Sequence, residues 1–103
     1  DVYKRQAINS YLLIGLTSSL LLLIIELFVP QSFNQITEDA VSFSTFLYYG
    51  FVTLTTLGYG DISPATPLAR SMATFIALFG QLYLAIIMAM IIGKFLSAKG
   101  ENQ

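Results

Sequence analysis

The chain contains neither cysteine nor histidine. Those two absences remove disulfides, thiolate and imidazole metal sites, and the usual imidazole acid or base of nucleophilic triads. Most enzymatic chemistries lose their parts, and the sequence is expected not to encode an enzyme. Charge is scarce too: five Lys plus Arg against six Asp plus Glu give a net charge of −1, with no basic patch. So few cations cannot cover the phosphates of a nucleic acid, and no polyanion partner is expected. Internal repeats, low-complexity tracts and linkers are also missing. The 103 residues, enough for a single small domain, are instead 55% hydrophobic and 11% charged, with a mean hydropathy of +0.71. That balance lies outside the soluble range and points to lipid as the solvent.

The apolar residues fall in blocks. Ala7 to Val29 is rich in Leu and Ile and carries one charge, Glu26, near its far end. At about 1.5 Å per residue the run covers roughly 30 to 35 Å, enough for a bilayer core. We read it as a first transmembrane helix over about 7–29. Lys4 and Arg5 before the run also suit a secretory signal, but the run is too long for an h-region and Leu27-Phe28-Val29-Pro30 is too bulky for a cleavage site. Pro30 marks the end of the helix. Residues 30–39 are then expected as an extracellular loop, with Asp39 or Ser42 capping a short helix over about 40–54. That aromatic helix, with Phe43, Phe46, Tyr48, Tyr49 and Phe51, is too short to span. It reads as re-entrant, with an interfacial helix lying flat as the competing reading. A second long helix is expected over about 67–97, opened by Pro67.

Orientation follows from the basic residues. Lys4 and Arg5 precede the first helix, and Lys94 and Lys99 close the second, while the intervening loops carry Glu38, Asp39, Asp61 and only Arg70. The positive-inside rule then places both termini in the cytoplasm and the re-entrant segment on the outer side of the cell membrane. Glu26, near the outer interface, is expected to snorkel or to pair, with Arg70 on the same side as a candidate partner. Starting at Asp1 rather than Met, the sequence leaves room for a cytoplasmic regulatory domain outside it.

Between the two spans lies Thr55-Thr56-Leu57-Gly58-Tyr59-Gly60-Asp61, polar and glycine-rich at membrane depth. Irregular backbone is tolerated there only where protein buries it or it lines an aqueous path. Gly58 and Gly60 can take positive φ, and alternating handedness about Leu57 and Tyr59 would aim successive carbonyls the same way. One chain makes one wall of such a column, so several copies around an axis are expected.

Thr56-Leu57-Gly58-Tyr59-Gly60 resembles the potassium-channel signature, with Leu57 where Val is usual. About Ala7 to Leu96 resembles the two-transmembrane pore module of that superfamily: the aromatic pair Tyr48-Tyr49 precedes the filter, Asp61 follows it, and Gly80 falls midway along the inner helix. The resemblance implies an all-α membrane protein in which two transmembrane helices flank a re-entrant pore helix and a selectivity-filter loop over 55–61. It implies a homotetramer in the lipid bilayer with K+ as the permeant ion. The carbonyls of Thr56, Leu57, Gly58 and Tyr59, and the Thr56 hydroxyl, would replace the hydration shell of K+, with Gly60 at the outer mouth. Leu57 contributes a carbonyl as Val would, so selectivity is expected to survive; its longer side chain bears on how durable the conducting shape is. Tyr48 resembles the position whose polar tip binds the filter's aspartate, here Asp61. Some members instead use a pore-helix Glu, and Val52 stands at that position. Gly80 resembles the hinge of the inner helix, with close helix packing as the alternative. Gln81 is expected to face the cavity or a neighbouring chain. Met88, Ile92 and Leu96 form a stripe that suits either an apolar gate or interhelical packing. The function expected is a K+-selective channel pore. A weakly selective cation channel of the same architecture and a non-conducting two-span assembly subunit are the competing readings.

Overall fold

The computed structural model describes residues 2–101. Two long helices, α1 (Val2–Phe28) and α3 (Pro67–Glu101), enclose the short α2 (Phe43–Leu54). The connections carry a 3-10 turn (Glu38–Ala40) and two strands of two residues each, β1 (Phe33–Asn34) and β2 (Ser63–Pro64). Both long helices are long and apolar enough to cross a membrane, and α2 is apolar but short. This is the all-α arrangement expected of the sequence.

α3 opens at Pro67 as expected, while the other helix boundaries differ from the expected ones for local reasons. α1 starts at Val2, before the apolar run, because Lys4, Arg5 and Gln6 are good helix formers and hydropathy marks lipid contact rather than helix onset. It stops at Phe28, ahead of Pro30, and Gln31 then turns back with φ 65°. α2 starts at Phe43 rather than near 40. Ser42, in extended backbone, accepts from the Thr45 N–H at 3.3 Å and is the cap, while Asp39 belongs to the preceding 3-10 turn. α3 starts at Pro67, with the Thr66 hydroxyl accepting from Ala69 N–H at 3.2 Å. It then runs unbroken through Gly80 and past 97.

The three helices meet around Leu22 and Ile25 of α1, Phe46, Tyr49 and Leu54 of α2, and Ala69 and Ile76 of α3, all buried. Beside Leu22, α1 turns small residues, Gly15 and Ser19, toward α2. A Cβ at Gly15 would run into the Phe51 ring, and one at Gly50 would run into Ser19. Small residues let membrane helices approach this closely, where burial of apolar area supplies little drive. The buried Ser19 hydroxyl is satisfied within its own helix, donating to the Gly15 carbonyl at 2.8 Å.

Toward the chain ends, α1 and α3 are held by aromatic side chains. Tyr83 stacks on Tyr11 with ring centroids 5.7 Å apart and donates to the Ala7 carbonyl at 3.1 Å. The Lys94 ammonium lies over the Tyr3 ring, 3.0 Å from its centroid. Glu26 takes a partner other than the candidate Arg70. Its carboxylate is 5% exposed and accepts from the Gln31 backbone N–H at 2.7 Å. The reversal at Pro30 brings that free amide back over the last turn of α1, and it reaches the acid first.

Candidate functional site

α2 ends where the chain begins to alternate in hand. Thr55 caps the helix and its hydroxyl returns to the Phe51 carbonyl at 2.7 Å. Thr56, Gly58 and Gly60 then take φ of 61°, 57° and 82°, while Leu57 and Tyr59 between them do not enter the positive region. A strand points successive carbonyls to opposite sides, whereas this alternation lets them face one way. The glycines adopt it freely. Thr56 does not: a β-branched residue at positive φ is an outlier that its surroundings must impose. Its N–H bonds the Thr53 carbonyl at 3.0 Å and its hydroxyl the Thr55 carbonyl at 2.6 Å.

The segment is fastened at both ends. Behind it, the Gly58 N–H donates to the Val52 carbonyl of α2 at 3.2 Å. Val52 thus supports the segment through its backbone while its side chain is buried. At the far end, the Tyr48 hydroxyl donates to Asp61 Oδ2 at 2.6 Å, and Asp61 Oδ1 accepts from the Ile62 N–H at 3.0 Å. Both carboxylate oxygens are engaged. The hydrogen bond to Asp61, then loss of hydration and the carboxylate's charge, push the Tyr48 phenol above its usual pKa. The raised pKa keeps the phenol protonated, and so able to donate, until pH rises through that raised value. Tyr49, the other half of the aromatic pair, is buried in the core and packs edge-on against Phe33 at 5.3 Å.

The remaining expected residues divide by exposure. Leu57 and Tyr59 are 56% and 67% exposed, so their side chains find little cover in their own chain. Met88, Ile92 and Leu96 are exposed along one stripe of α3, as is Gln81. Gly80 is buried against the end of α2, where a Cβ would overlap the Leu54 carbonyl oxygen. The structure therefore brings Tyr48 and Asp61 together and sets Gly80 beneath the segment, while the stripe stands apart. The left-handed Thr56 and the Val52 carbonyl were not expected. Neither has a signal in residue type, since one is a backbone conformation and the other a backbone acceptor.

A family described as ion channels matches residues 10–97. The chain belongs to the ion channel family. The channel is 36% identical over 89 residues to potassium voltage-gated channel subfamily KQT member 3 of Rattus norvegicus, covering 84% of this chain and 10% of that protein. It is 30% identical over 96 residues to the A-type voltage-gated potassium channel KCND3 of the same organism, covering 90% of this chain and 14% of that one. The chain thus spans between about a tenth and a seventh of the length of these relatives. Among solved structures it is similar to a voltage-gated K+ channel pore module, crystallised in a closed state in lipid membranes. The TM-score is 0.64 and the identity 28%, over 88% of this chain and 92% of that one.

In the conducting assembly proposed below, the Tyr48 to Asp61 bond lends itself to a direct test. Tyr48→Phe removes one hydroxyl from a part-exposed ring and should speed the decay of current during sustained opening by roughly three- to tenfold, the worth of one such bond. Unchanged decay in planar-bilayer recordings would show that the bond does not hold the segment.

Proposed function

We propose that this chain is one quarter of a K+-selective pore that conducts passively across the cell membrane. The observation that carries the reading is the alternation of positive φ at Thr56, Gly58 and Gly60 on an exposed segment at the end of a short apolar helix. Four copies around an axis would close the carbonyls of Thr56, Leu57, Gly58 and Tyr59 into stacked cages, with the Thr56 hydroxyl at the base and Gly60 at the outer mouth. Each cage substitutes for the water around K+, and repulsion between ions in file releases them. The C-terminal end of α2 puts the negative end of its dipole toward the inner cavity and favours a cation there. The potassium-channel names of the relatives support the choice of ion. The exposed faces of Leu57, Tyr59 and the α3 stripe suit contact with neighbouring copies.

In this reading both termini are cytoplasmic, Tyr48 and Asp61 hold the outer mouth, and Met88, Ile92 and Leu96 line the cytoplasmic end of the pore as an apolar gate. A weakly selective cation pore is the second reading, favoured by the exposed Leu57 in place of the usual Val. Reversal potentials of the purified protein in planar bilayers, with K+ on one side and Na+ on the other, separate the two. A potential far from zero, toward the K+ value, is expected. A value near zero sinks the selective reading, and no current sinks the pore.

A further inference from the structure

The loop between α1 and α2 is bent at two non-glycine residues in left-handed backbone, Gln31 (φ 65°) and Gln35 (φ 68°). Such conformations persist only where the surroundings impose them. What they bracket is Ser32-Phe33-Asn34. The buried Ser32 donates to the Val29 carbonyl and accepts at its own carbonyl from the Ala65 N–H at 2.7 Å. Phe33 is 3% exposed and wedged edge-on against Phe46 and Tyr49 of α2, at 5.4 Å and 5.3 Å. That wedge fixes β1, which pairs antiparallel with β2 so that Asn34 lies opposite Ser63. The Asn34 side-chain amide then donates to Ser63 Oγ at 3.1 Å.

Ser63 lies just beyond Asp61 in the chain. The Tyr48 bond grips Asp61 from α2, and the β1–β2 pairing and the Ser32 carbonyl hold the chain at Pro64 and Ala65; the Asn34 amide adds a side-chain tether between them, two residues beyond Asp61. We infer that Asn34 is a positioning residue for ion conduction: by holding Ser63 it pins the outer end of the filter from the extracellular loop, in parallel with Tyr48. The loop's conformation is thereby coupled to the lifetime of the conducting filter. The inference rests on reading 56–60 as the filter. Asn34 and Ser63 lie outside residues 56–60, so their effect passes through the backbone between Asp61 and Ser63.

The test is the decay of K+ current during sustained opening, recorded for Asn34→Ala, Ser63→Ala, the double variant and Asn34→Asp in the purified protein. Asn34→Ala and Ser63→Ala should each speed decay on the order of three- to tenfold, and the double variant no more than either alone, because both remove one bond. Asn34→Asp, which can accept from the Ser63 hydroxyl, should restore the original decay. Raising external K+ should shrink the difference, because an ion in the outermost cage holds the same segment in place. A bond that merely closes the loop would lower the melting temperature without moving the K+ dependence of decay, and that result overturns the inference. So does unchanged decay in Asn34→Ala with selectivity intact, or additive effects in the double variant. Failure of the unaltered protein to conduct K+ selectively overturns the filter reading, and this inference with it.

Discussion

Gly58→Ala should abolish K+ selectivity. Gly58 sits at φ 57°, and the nearest atom of its own chain that an added Cβ would meet is the Thr56 carbonyl oxygen at 3.9 Å, so within the chain the obstacle is backbone conformation and not space. For an L-residue the left-handed region costs roughly 1–2 kcal/mol, incurred in every copy around the axis. The cheapest escape is rotation of the adjoining peptides, which turns the Leu57 or Gly58 carbonyl out of the cage and breaks the Gly58 N–H bond to Val52. A cage short of its oxygens no longer matches the shell it replaces. In bi-ionic recordings the reversal potential should collapse toward zero, or current should vanish while the protein still folds. Selective current from Gly58→Ala would mean that the alternation of hand is not what builds the site.

Gly80→Ala should destabilise the fold by about 1–3 kcal/mol, the usual range for forcing added volume into a packed contact. The added methyl meets the Leu54 carbonyl oxygen and carbon, main-chain atoms that cannot rotate aside as a side chain could. Yielding would shift the end of α2, from which the filter departs. Gly93→Ala is the control. No atom lies within 4 Å of its Cβ position, so exchanging a helical glycine for alanine there should be neutral or add about 1 kcal/mol. Melting in detergent compares the two. If Gly80→Ala melts normally but changes open probability, bending at Gly80 matters more than its packing; α3 is unbroken there, so the contact with Leu54 is the observed role.

The sequence made the two spans readable because the length of an apolar run is a direct record of bilayer thickness. It marked the start of α3 at Pro67 but not the outer ends of the two long helices, since Lys4 to Gln6 and the residues after Leu96 are helical outside the apolar runs. The start of α2 turned on a choice between Asp39 and Ser42 that composition leaves open, and geometry decided for Ser42. Gly58 and Gly60 announce their conformations because glycine alone takes them without cost. Thr56 and the two glutamines of the outer loop adopt the same region with nothing in their side chains to say so. The β1–β2 pair is two residues long and shows no alternation to detect. Contacts made by main-chain atoms, such as Gly58 to Val52, are invisible to any reading by residue type. The Tyr48 to Asp61 bond was named through family resemblance, because nothing in the spacing of two residues across a turn singles it out.

The left-handed Thr56 has a thermodynamic consequence. A β-branched residue held there raises the energy of the filter's conducting shape on the order of 1 to 3 kcal/mol in each chain. Anything that binds that shape and not its relaxed alternatives offsets the penalty in proportion to RT ln(1 + [L]/Kd). Under the proposed function K+ would be more than cargo: it would be a ligand for the folded form of residues 55–61. Permeation and local folding become two readings of one equilibrium, and a filter starved of ions should relax at Thr56 before anywhere else.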